Sequence, residues 1–225
     1  MPNLNESALK EKLRNDPVGV YLIYGEEAYL KKTYVDKIIS KTVDSAFEDF
    51  NFHSFDGKEC TLSDIYESAE AVPMMAETKC VLVKDFPLDN LDENGFEQLE
   101  RVVRENPDDC ALVFSFIAYE PKGAKWTKVV KLFEKYGFTV KLDKKTTIEL
   151  IKTLESGAKK RGKEFGKGVA SYLITCVGSD LNTLLNETEK VCAYAQGEEV
   201  LRSDVDAVCI KNFFLEISGK LKLIR

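Results

Sequence analysis

The stretch Val18-Gly-Val-Tyr-Leu-Ile-Tyr-Gly-Glu-Glu-Ala-Tyr-Leu-Lys-Lys-Thr33 decides the fold class of this protein. It begins with an apolar run that ends at Gly25, as is typical of a β-strand buried on both faces of a sheet. From residue 26 to residue 43, apolar side chains recur at helical spacing, which predicts an amphipathic helix. A buried strand followed by a glycine turn and a helix is the repeating unit of α/β proteins with a parallel sheet.

The alternation of strands and helices continues to residue 142. Apolar runs predict four more strands, and helical periodicity predicts four more helices. The strands are expected at 50–55, 80–83, 111–117 and 138–142, and the helices at 8–14, 61–72, 96–105 and 126–136. Thr61 and Asp64 have the spacing of a capping box. We therefore predict an α/β domain over residues 1–142, with a parallel sheet covered on both faces.

The pattern changes after residue 142. The following segments are all helical in period, with no apolar strand between them: 146–160, 167–177, 179–196 and 203–208. Ser179 and Gly197 are expected to begin and end the longest of these helices. The charge changes at the same point, because residues 1–142 carry 18 Lys and Arg against 26 Asp and Glu, whereas the remainder carries 14 against 12. We expect a small all-helical second domain over residues 143–210.

The composition excludes several classes of protein. No apolar run approaches the ~18 residues of a transmembrane helix, and residues 1–6 lack the pattern of a signal peptide. We therefore expect a cytoplasmic protein with no membrane partner. The single histidine, His53, leaves no histidine-rich metal site, and the six cysteines are spaced too widely for CxxC motifs. We expect no metal, no cofactor, and cysteines that are reduced and mostly buried.

The glycine turn stands where nucleotide-binding α/β proteins place a phosphate loop. That loop, G-x-x-x-x-G-K-[ST], needs a second glycine, a lysine and a hydroxyl, because its amides, ammonium and hydroxyl contact phosphates and magnesium. Counted from Gly25, Leu30 stands at the second glycine, Lys31 at the lysine and Lys32 at the hydroxyl position. The two glutamates after Gly25 would also repel a polyphosphate. The sequence predicts a nucleotide-type fold that does not bind nucleotide.

Three stretches of the chain resemble one family. They are Val20-Tyr-Leu-Ile-Tyr-Gly-Glu-Glu-Ala-Tyr-Leu30, the region from Phe55-Asp-Gly through Ala69-Glu-Ala-Val-Pro-Met-Met-Ala to Cys80-Val-Leu-Val83, and Gly178-Ser-Asp-Leu-Asn-Thr-Leu-Leu-Asn-Glu-Thr-Glu-Lys-Val-Cys-Ala-Tyr194. The likeness extends over residues 1–210, and it is to the delta subunit of bacterial DNA polymerase III, a clamp-loader subunit. The third stretch is the most specific, because the order of polar and apolar positions is similar throughout.

The resemblance implies an architecture and a role. The first domain would be an AAA+-like module without an ATP site, and the second would be a helical lid. A third helical domain would form a collar with loader subunits of the tau/gamma and delta-prime types. The role is in DNA replication: a subunit without activity of its own, within the DNA-directed DNA polymerase III complex, would bind the beta sliding clamp and open its ring. Residues 211–225 resemble the start of the collar domain, so the chain is expected to be truncated before it.

The resemblance also implies a clamp-binding site. The family uses a protruding apolar pair before the third strand, and Met74 and Met75 match it here, preceded by Val72 and Pro73. The family often has a leucine and an aromatic residue at the pair, so this sequence departs from the pattern. Methionine is flexible and polarizable, and with a polar flank at residues 77–79 such a pair suits an apolar pocket on a partner. The alternative is that one methionine packs under the sheet edge.

A basic run in the predicted helical domain is a candidate contact with DNA phosphates inside an assembled loader. It comprises Lys159, Lys160, Arg161 and Lys163. A solvated helix end is the alternative interpretation of the same residues.

For the whole chain, two other functions stay open. One is an active AAA+ ATPase, against which the missing glycine and hydroxyl argue. The other is a nucleotide-fold adaptor protein unrelated to the clamp.

Overall fold

The apolar run that begins at residue 18 forms the strand next to one edge of a five-stranded sheet in which every pairing is parallel. The structure is a computed structural model, and it describes residues 3–118 and 121–209. The chain divides into two compact units, Met1–Lys144 and Lys145–Arg225. Residues 211–225, expected to start a collar domain, lie outside the described residues. The division falls two residues after the boundary expected from the sequence.

The first unit alternates strands with helices. Its strands are β1 (Gly19–Tyr24), β2 (Phe52–Asp56), β3 (Lys79–Lys84), β4 (Cys110–Ser115) and β5 (Phe138–Lys141). Its α-helices are α1 (Glu6–Asn15), α2 (Ala28–Thr42), α3 (Glu48–Asn51), α4 (Leu62–Glu70), α5 (Glu93–Arg104) and α6 (Ala124–Tyr136), with short 3-10 turns at Ser45–Phe47 and Leu88–Asn90. The strand order is β2-β3-β4-β1-β5, so successive strands are joined by crossovers through helices, as the α/β pattern predicts.

The core of this unit lies on both faces of the sheet. On one face, the inward side chains of β1, β3 and β4 pack with the apolar faces of α4, α5 and α6 in one cluster. Phe114 of β4 meets Phe133 of α6 edge to face, with ring centroids 5.4 Å apart. Helices α1 and α2 cover the other face, where Tyr34 donates a hydrogen bond of 2.8 Å to Glu6 Oε1. Burial on both faces explains why the strands are apolar throughout.

The second unit is helical apart from one short pairing. Its helices are α7 (Thr147–Lys159), α8 (Val169–Val177), α9 (Leu181–Tyr194) and α10 (Arg202–Val208). The expectation of helices alone omits a two-residue parallel pairing of β6 (Glu164–Phe165) with β7 (Glu199–Val200). These pairs are too short for a strand signal in the sequence. Within the described residues, no helix has the length and apolar character needed to cross a bilayer.

Several predicted boundaries are wrong by a few residues. The predicted second strand at 50–55 begins later, at Phe52, because the residues just before it close a turn of α3. Helix α9 is capped by Asp180 rather than Ser179, since the Asp180 carboxylate accepts the amide of Thr183, and the helix ends at Tyr194, before Gly197. The capping box of Thr61 and Asp64 is confirmed.

Candidate protein-binding site

The segment between α4 and β3, residues 71–78, carries an exposed apolar surface. Helix α4 ends at Glu70, and Pro73 follows three residues later, where its ring is incompatible with a continued helix. The side chain of Val72 is 85% exposed, that of Met74 50% and that of Met75 77%. The helix was expected to extend to residue 72, and that expectation is wrong, because α4 ends at Glu70. Met75 is thus largely exposed, whereas half of the surface of Met74 is covered by the protein.

Asn51 fixes the position of this segment. Its side chain is fully buried, and its amide makes both possible hydrogen bonds to the backbone of Met74. The Asn51 Nδ2 donates to the Met74 carbonyl at 2.8 Å, and the Met74 amide donates to Asn51 Oδ1 at 2.7 Å. Nδ2 also donates to the carbonyl of Phe47 at 3.2 Å. Met74 is therefore held by its backbone while its side chain faces solvent.

Two further contacts hold the ends of the segment. Lys79, the first residue of β3, is buried, and its ammonium donates to the carbonyls of Ser68, at 2.7 Å, and of Ala71. Lys79 therefore closes the last turn of α4, where carbonyls have no partner inside the helix. Burial lowers the pKa of Lys79 below its ordinary value. The Thr78 hydroxyl donates to the carbonyl of Thr42 at 2.7 Å, which ties the segment to the end of α2.

The backbone at Met75 is unusual. Its φ of +53° lies in the left-handed region, which few residues other than glycine and asparagine adopt. Such a conformation costs about 1–2 kcal/mol for an ordinary side chain, and it persists where neighbouring contacts determine it. Here those contacts are the ones made by Asn51 to the preceding residue and by Lys79 to the end of α4. The fold thus holds two thioether side chains outward at the amino edge of the sheet.

Phe50 adds to this edge of the sheet. It directly precedes the asparagine that holds Met74, and its side chain is 56% exposed. Large exposed apolar side chains that occur together on one region of a surface are typical of protein interaction sites. Together with Val72, Met74 and Met75, Phe50 defines what we call the amino-edge patch.

The phosphate-loop position lies at the opposite edge of the sheet, where it is filled by the protein's own backbone. The Leu142 amide donates to the Tyr24 carbonyl at 2.7 Å, and the Glu27 amide donates to the Leu142 carbonyl at 2.8 Å. Gly25 has a φ of +113°, and a Cβ there would lie 2.4 Å from the Leu142 carbonyl oxygen. The chain leaving β5 therefore closes over the turn between β1 and α2.

The amino end of α2 is also capped by a side chain of the protein itself. Glu27 is the N-cap, and its carboxylate accepts the amide of Tyr29 at 3.3 Å. A negative charge at this end favours the helix dipole, and it occupies the position that a phosphate takes in nucleotide-binding proteins. Leu30 and Lys31 are buried within α2, and Lys32 is exposed on it. The connection from Tyr24 to Ala28 has three residues.

The basic run of the second unit divides into two pairs. Arg161 donates to Glu189 at 2.9 Å and to the Gly157 carbonyl at 3.1 Å, and Lys163 donates to the carbonyls of Ala195 and Gly197 at 2.8 and 2.5 Å. Both side chains thus bind within their own unit. Lys159 is exposed and lies 3.8 Å from a carboxylate oxygen of Glu164, and Lys160 is exposed at the C-cap of α7.

Sequence reasoning missed the residues that hold the amino-edge patch in place. Lys79 was assigned to a polar flank, whereas it is buried, because its long side chain reaches back to the end of α4. Asn51 and Phe50 were assigned to a strand. Nothing in the sequence around Asn51 indicates its hydrogen bonds to Met74, which is 23 residues away. Likewise, nothing around Leu142 indicates its contact with Gly25.

The comparisons with known proteins agree on one family. The family model described as DNA polymerase III, delta subunit, matches residues 21–148, more than half of the chain. The Bacillus subtilis DNA polymerase III subunit delta is 29% identical over 193 residues, which is 83% of this chain and 55% of that protein. The chain thus spans about half the length of this curated relative.

Solved structures give the same result. The Bacillus subtilis DNA clamp loader delta protein (YqeN) superposes with a TM-score of 0.73 and 26% identity, over 93% of this chain and 63% of that one. The Thermotoga maritima RuvB Holliday junction branch migration motor superposes with a TM-score of 0.50 and 14% identity, over 90% and 68% of the two chains, and shares the fold alone. The predicted α/β fold of AAA+ type is confirmed. By its family match, its relative and its fold, the chain belongs to the DNA polymerase III delta subunit family.

Proposed function

We propose that this chain is a clamp-loader subunit of DNA polymerase III that binds the beta sliding clamp through the amino-edge patch and opens its ring. The observation that carries the proposal is the outward presentation of Met74 and Met75 on a segment held by Asn51. Two adjacent apolar side chains on a fixed backbone can enter a pocket with little loss of conformational entropy on binding. Methionine adapts its shape to such a pocket.

Ring opening follows from binding when the partner has two states. A ring with one interface open is a minor state of a closed ring, and a ligand that binds the open state better shifts the population toward it. A rigid patch serves this purpose better than a mobile one, because its binding energy is not used to order the segment. Phe50 and Val72 extend the contact in the same proposal.

The test is clamp binding by the variant Met74→Ala/Met75→Ala. Truncating an important interface residue costs more than about 1 kcal/mol, so the double variant should lose about 2 kcal/mol or more, an affinity loss of about 30-fold or more. Stability should change by less than about 0.5 kcal/mol, because both side chains are exposed. Ile117→Ala is the matched control, since Ile117 is 50% exposed, like Met74, but follows β4 at the other edge of the sheet. Undiminished binding by the double variant would refute the proposal.

We also propose that the chain acts without binding or hydrolysing nucleotide. The closure of the Gly25 turn by Leu142 and the capping of α2 by Glu27 support this. The midpoint of thermal unfolding should therefore not rise on addition of magnesium and ATP, whereas a nucleotide that binds the folded state must raise it. A clear rise would favour an active ATPase instead.

The remaining partners belong to the same proposal. Loader subunits of the tau/gamma and delta-prime types, and primed DNA, would meet this chain in the assembled loader, in the cytoplasm. Within the basic run, Lys159 and Lys160 would carry the contact with phosphates, because Arg161 and Lys163 are bound within their unit. Replacing both lysines with alanine should then reduce the salt dependence of DNA binding by the assembled loader, with a slope smaller by about 2. If the salt dependence of DNA binding is unchanged in this variant, the two lysines do not contact phosphates and belong to a solvated helix end.

A further inference from the structure

We propose that Met74 and Met75 form an oxidation switch: a hydroperoxide converts them to methionine sulfoxide, which blocks binding of the clamp, and reduction restores it. This inference rests on the proposed clamp contact. Apart from Met1, they are the only methionines of the chain. The fold places both at the surface patch proposed to enter an apolar pocket.

The first step of the argument is access. Met74 is 50% exposed and Met75 77% exposed, so an oxidant in solution reaches both residues without any unfolding. The segment is held outward by the hydrogen bonds from Asn51 to Met74, so the thioethers are presented continuously. Buried methionines in a core would react only as fast as the core opens.

The second step is the chemistry. The thioether sulfur attacks one oxygen of hydrogen peroxide, an S–O bond forms, and the O–O bond breaks. A proton moves to the departing oxygen, which leaves as water, while the sulfur loses two electrons to the peroxide. The product is a polar sulfoxide in place of an apolar thioether, and thiol-dependent methionine sulfoxide reductases reverse the reaction.

The third step is the effect on binding. A sulfoxide oxygen accepts hydrogen bonds from water, and an apolar pocket offers none in exchange. Burying one such unpaired group therefore reduces affinity by about 10-fold or more, and burying two reduces it further. Folding should be affected much less than binding, because both residues are at least half exposed in the unbound protein.

Most of the cysteine sulfur atoms in the described residues are shielded from the oxidant. Five of the six cysteines are buried, and Cys60 is half-buried. Burial raises the pKa of the Cys80 and Cys110 thiols to about 12, which suppresses the reactive thiolate. Cys60 is the one cysteine of the first unit that is not buried, and burial raises its pKa as well, which leaves less of the reactive thiolate.

The test treats the full chain with hydrogen peroxide and follows two quantities. Peptide mass spectrometry should show one added oxygen on each of Met74 and Met75 before any change in circular dichroism. Binding to immobilised clamp should weaken by about 10-fold or more in parallel, and a mixture of both stereospecific sulfoxide reductases should restore it. The variant Met74→Leu/Met75→Leu has no thioether in the patch and is compared with itself before and after peroxide: whatever its own affinity for the clamp, peroxide should leave that affinity unchanged.

The outcomes separate the two proposals. If the untreated chain does not bind the clamp, the proposed function fails and the switch fails with it. If the untreated chain binds and the oxidised chain binds equally well, the switch alone is overturned. Peroxide that weakens binding by the leucine variant as much as by the natural chain also overturns it, because the loss would then come from another group.

Discussion

The buried side-chain amide of Asn51 hydrogen-bonds both backbone polar groups of Met74, at 2.8 and 2.7 Å. This pairing joins α3 to the segment before β3, although 23 residues separate the two in the chain. It gives the amino-edge patch a fixed backbone at a place where strand, helix and turn preferences would allow many conformations. The backbone of Met74 is therefore fixed by a contact with a different element of the fold.

Replacing Asn51 with alanine should weaken both stability and clamp binding. The variant loses the hydrogen bonds to Met74 and Phe47, so we expect a loss of about 1–3 kcal/mol in the free energy of unfolding. Clamp affinity should fall by about 10-fold, because binding must then order the segment. Urea denaturation and clamp binding measure the two effects.

Asn106→Ala is the matched control for this prediction. The Asn106 amide also donates to two backbone carbonyls, those of Pro107 and Cys110, at 3.0 and 2.9 Å, but it lies before β4 and away from the segment in sequence. We expect a similar loss of stability, about 1–3 kcal/mol, with clamp affinity unchanged. Equal losses of affinity in the two variants would show that Asn51 acts only through general stability.

Alanine at Gly25 should destabilise the first unit strongly. The added Cβ would lie 2.4 Å from the Leu142 carbonyl oxygen, and the φ of +113° is unfavourable for any L-residue with a side chain. We expect a loss of at least about 3 kcal/mol in the free energy of unfolding, measured in urea. Gly123→Ala separates the steric contact from the unfavourable backbone conformation. At Gly123 φ is +95°, but no atom lies within 4 Å of the added Cβ.

The free energy of unfolding of the Gly123 variant should fall only by the cost of the unfavourable φ, about 1–2 kcal/mol. Similar losses at the two glycines would mean that the chain after β5 withdraws readily from the turn. The phosphate-loop position would then be closed less firmly than the contact between Gly25 and Leu142 indicates.

Local patterns in the sequence predict most of the fold and part of the candidate site. Strand β1 follows from an unbroken apolar run, as expected of a strand buried on both faces, and helix α2 follows from apolar residues that recur at helical spacing. The exposure of Met74 and Met75 follows from Pro73, which prevents the helix from continuing. These features depend on neighbours close in the chain, which is why one sequence is enough to predict them.

Contacts between distant residues could not be predicted in the same way. The burial of Lys79 depends on carbonyls at the end of α4, and a lysine in a polar tripeptide is usually exposed. The closing of the phosphate-loop position depends on Leu142, which is an ordinary apolar residue by its pattern. Both contacts arise from how elements come together, and neither leaves a local signature.

The buried Lys79 gives the protein a defined pH dependence. Burial lowers its folded-state pKa, while Asp109 and Cys110 oppose this shift, so between the folded and unfolded pKa the unfolded chain binds more protons. Stability must therefore rise with pH across that window, up to about pH 10. The free energy of unfolding of the natural chain, relative to that of Lys79→Met, should be larger at about pH 10 than at about pH 7 when both are measured by urea denaturation.

At about pH 7, Lys79→Met should itself be less stable by about 1–3 kcal/mol, because the carbonyls of Ser68 and Ala71 lose their donor. Lys84→Met is the control, since Lys84 lies exposed at the other end of the same strand and should change stability by less than about 0.5 kcal/mol. A difference between the natural chain and Lys79→Met that shrinks as pH rises would contradict the assigned direction of the pKa shift.

Thiol labelling should distinguish the cysteines by burial. Alkylation requires the thiolate, and burial raises the pKa of Cys80 and Cys110 to about 12, so at about pH 8 only about one in 10,000 of these thiols is ionised. Cys60 is half-buried, and burial raises its pKa too, but reagents reach it in the folded state. We expect iodoacetamide to modify Cys60 first, as seen by peptide mass spectrometry, and Cys60→Ser to remove this fast phase. Early labelling of Cys80 in the folded chain would mean that the centre of the sheet opens far more often than its burial on both faces allows.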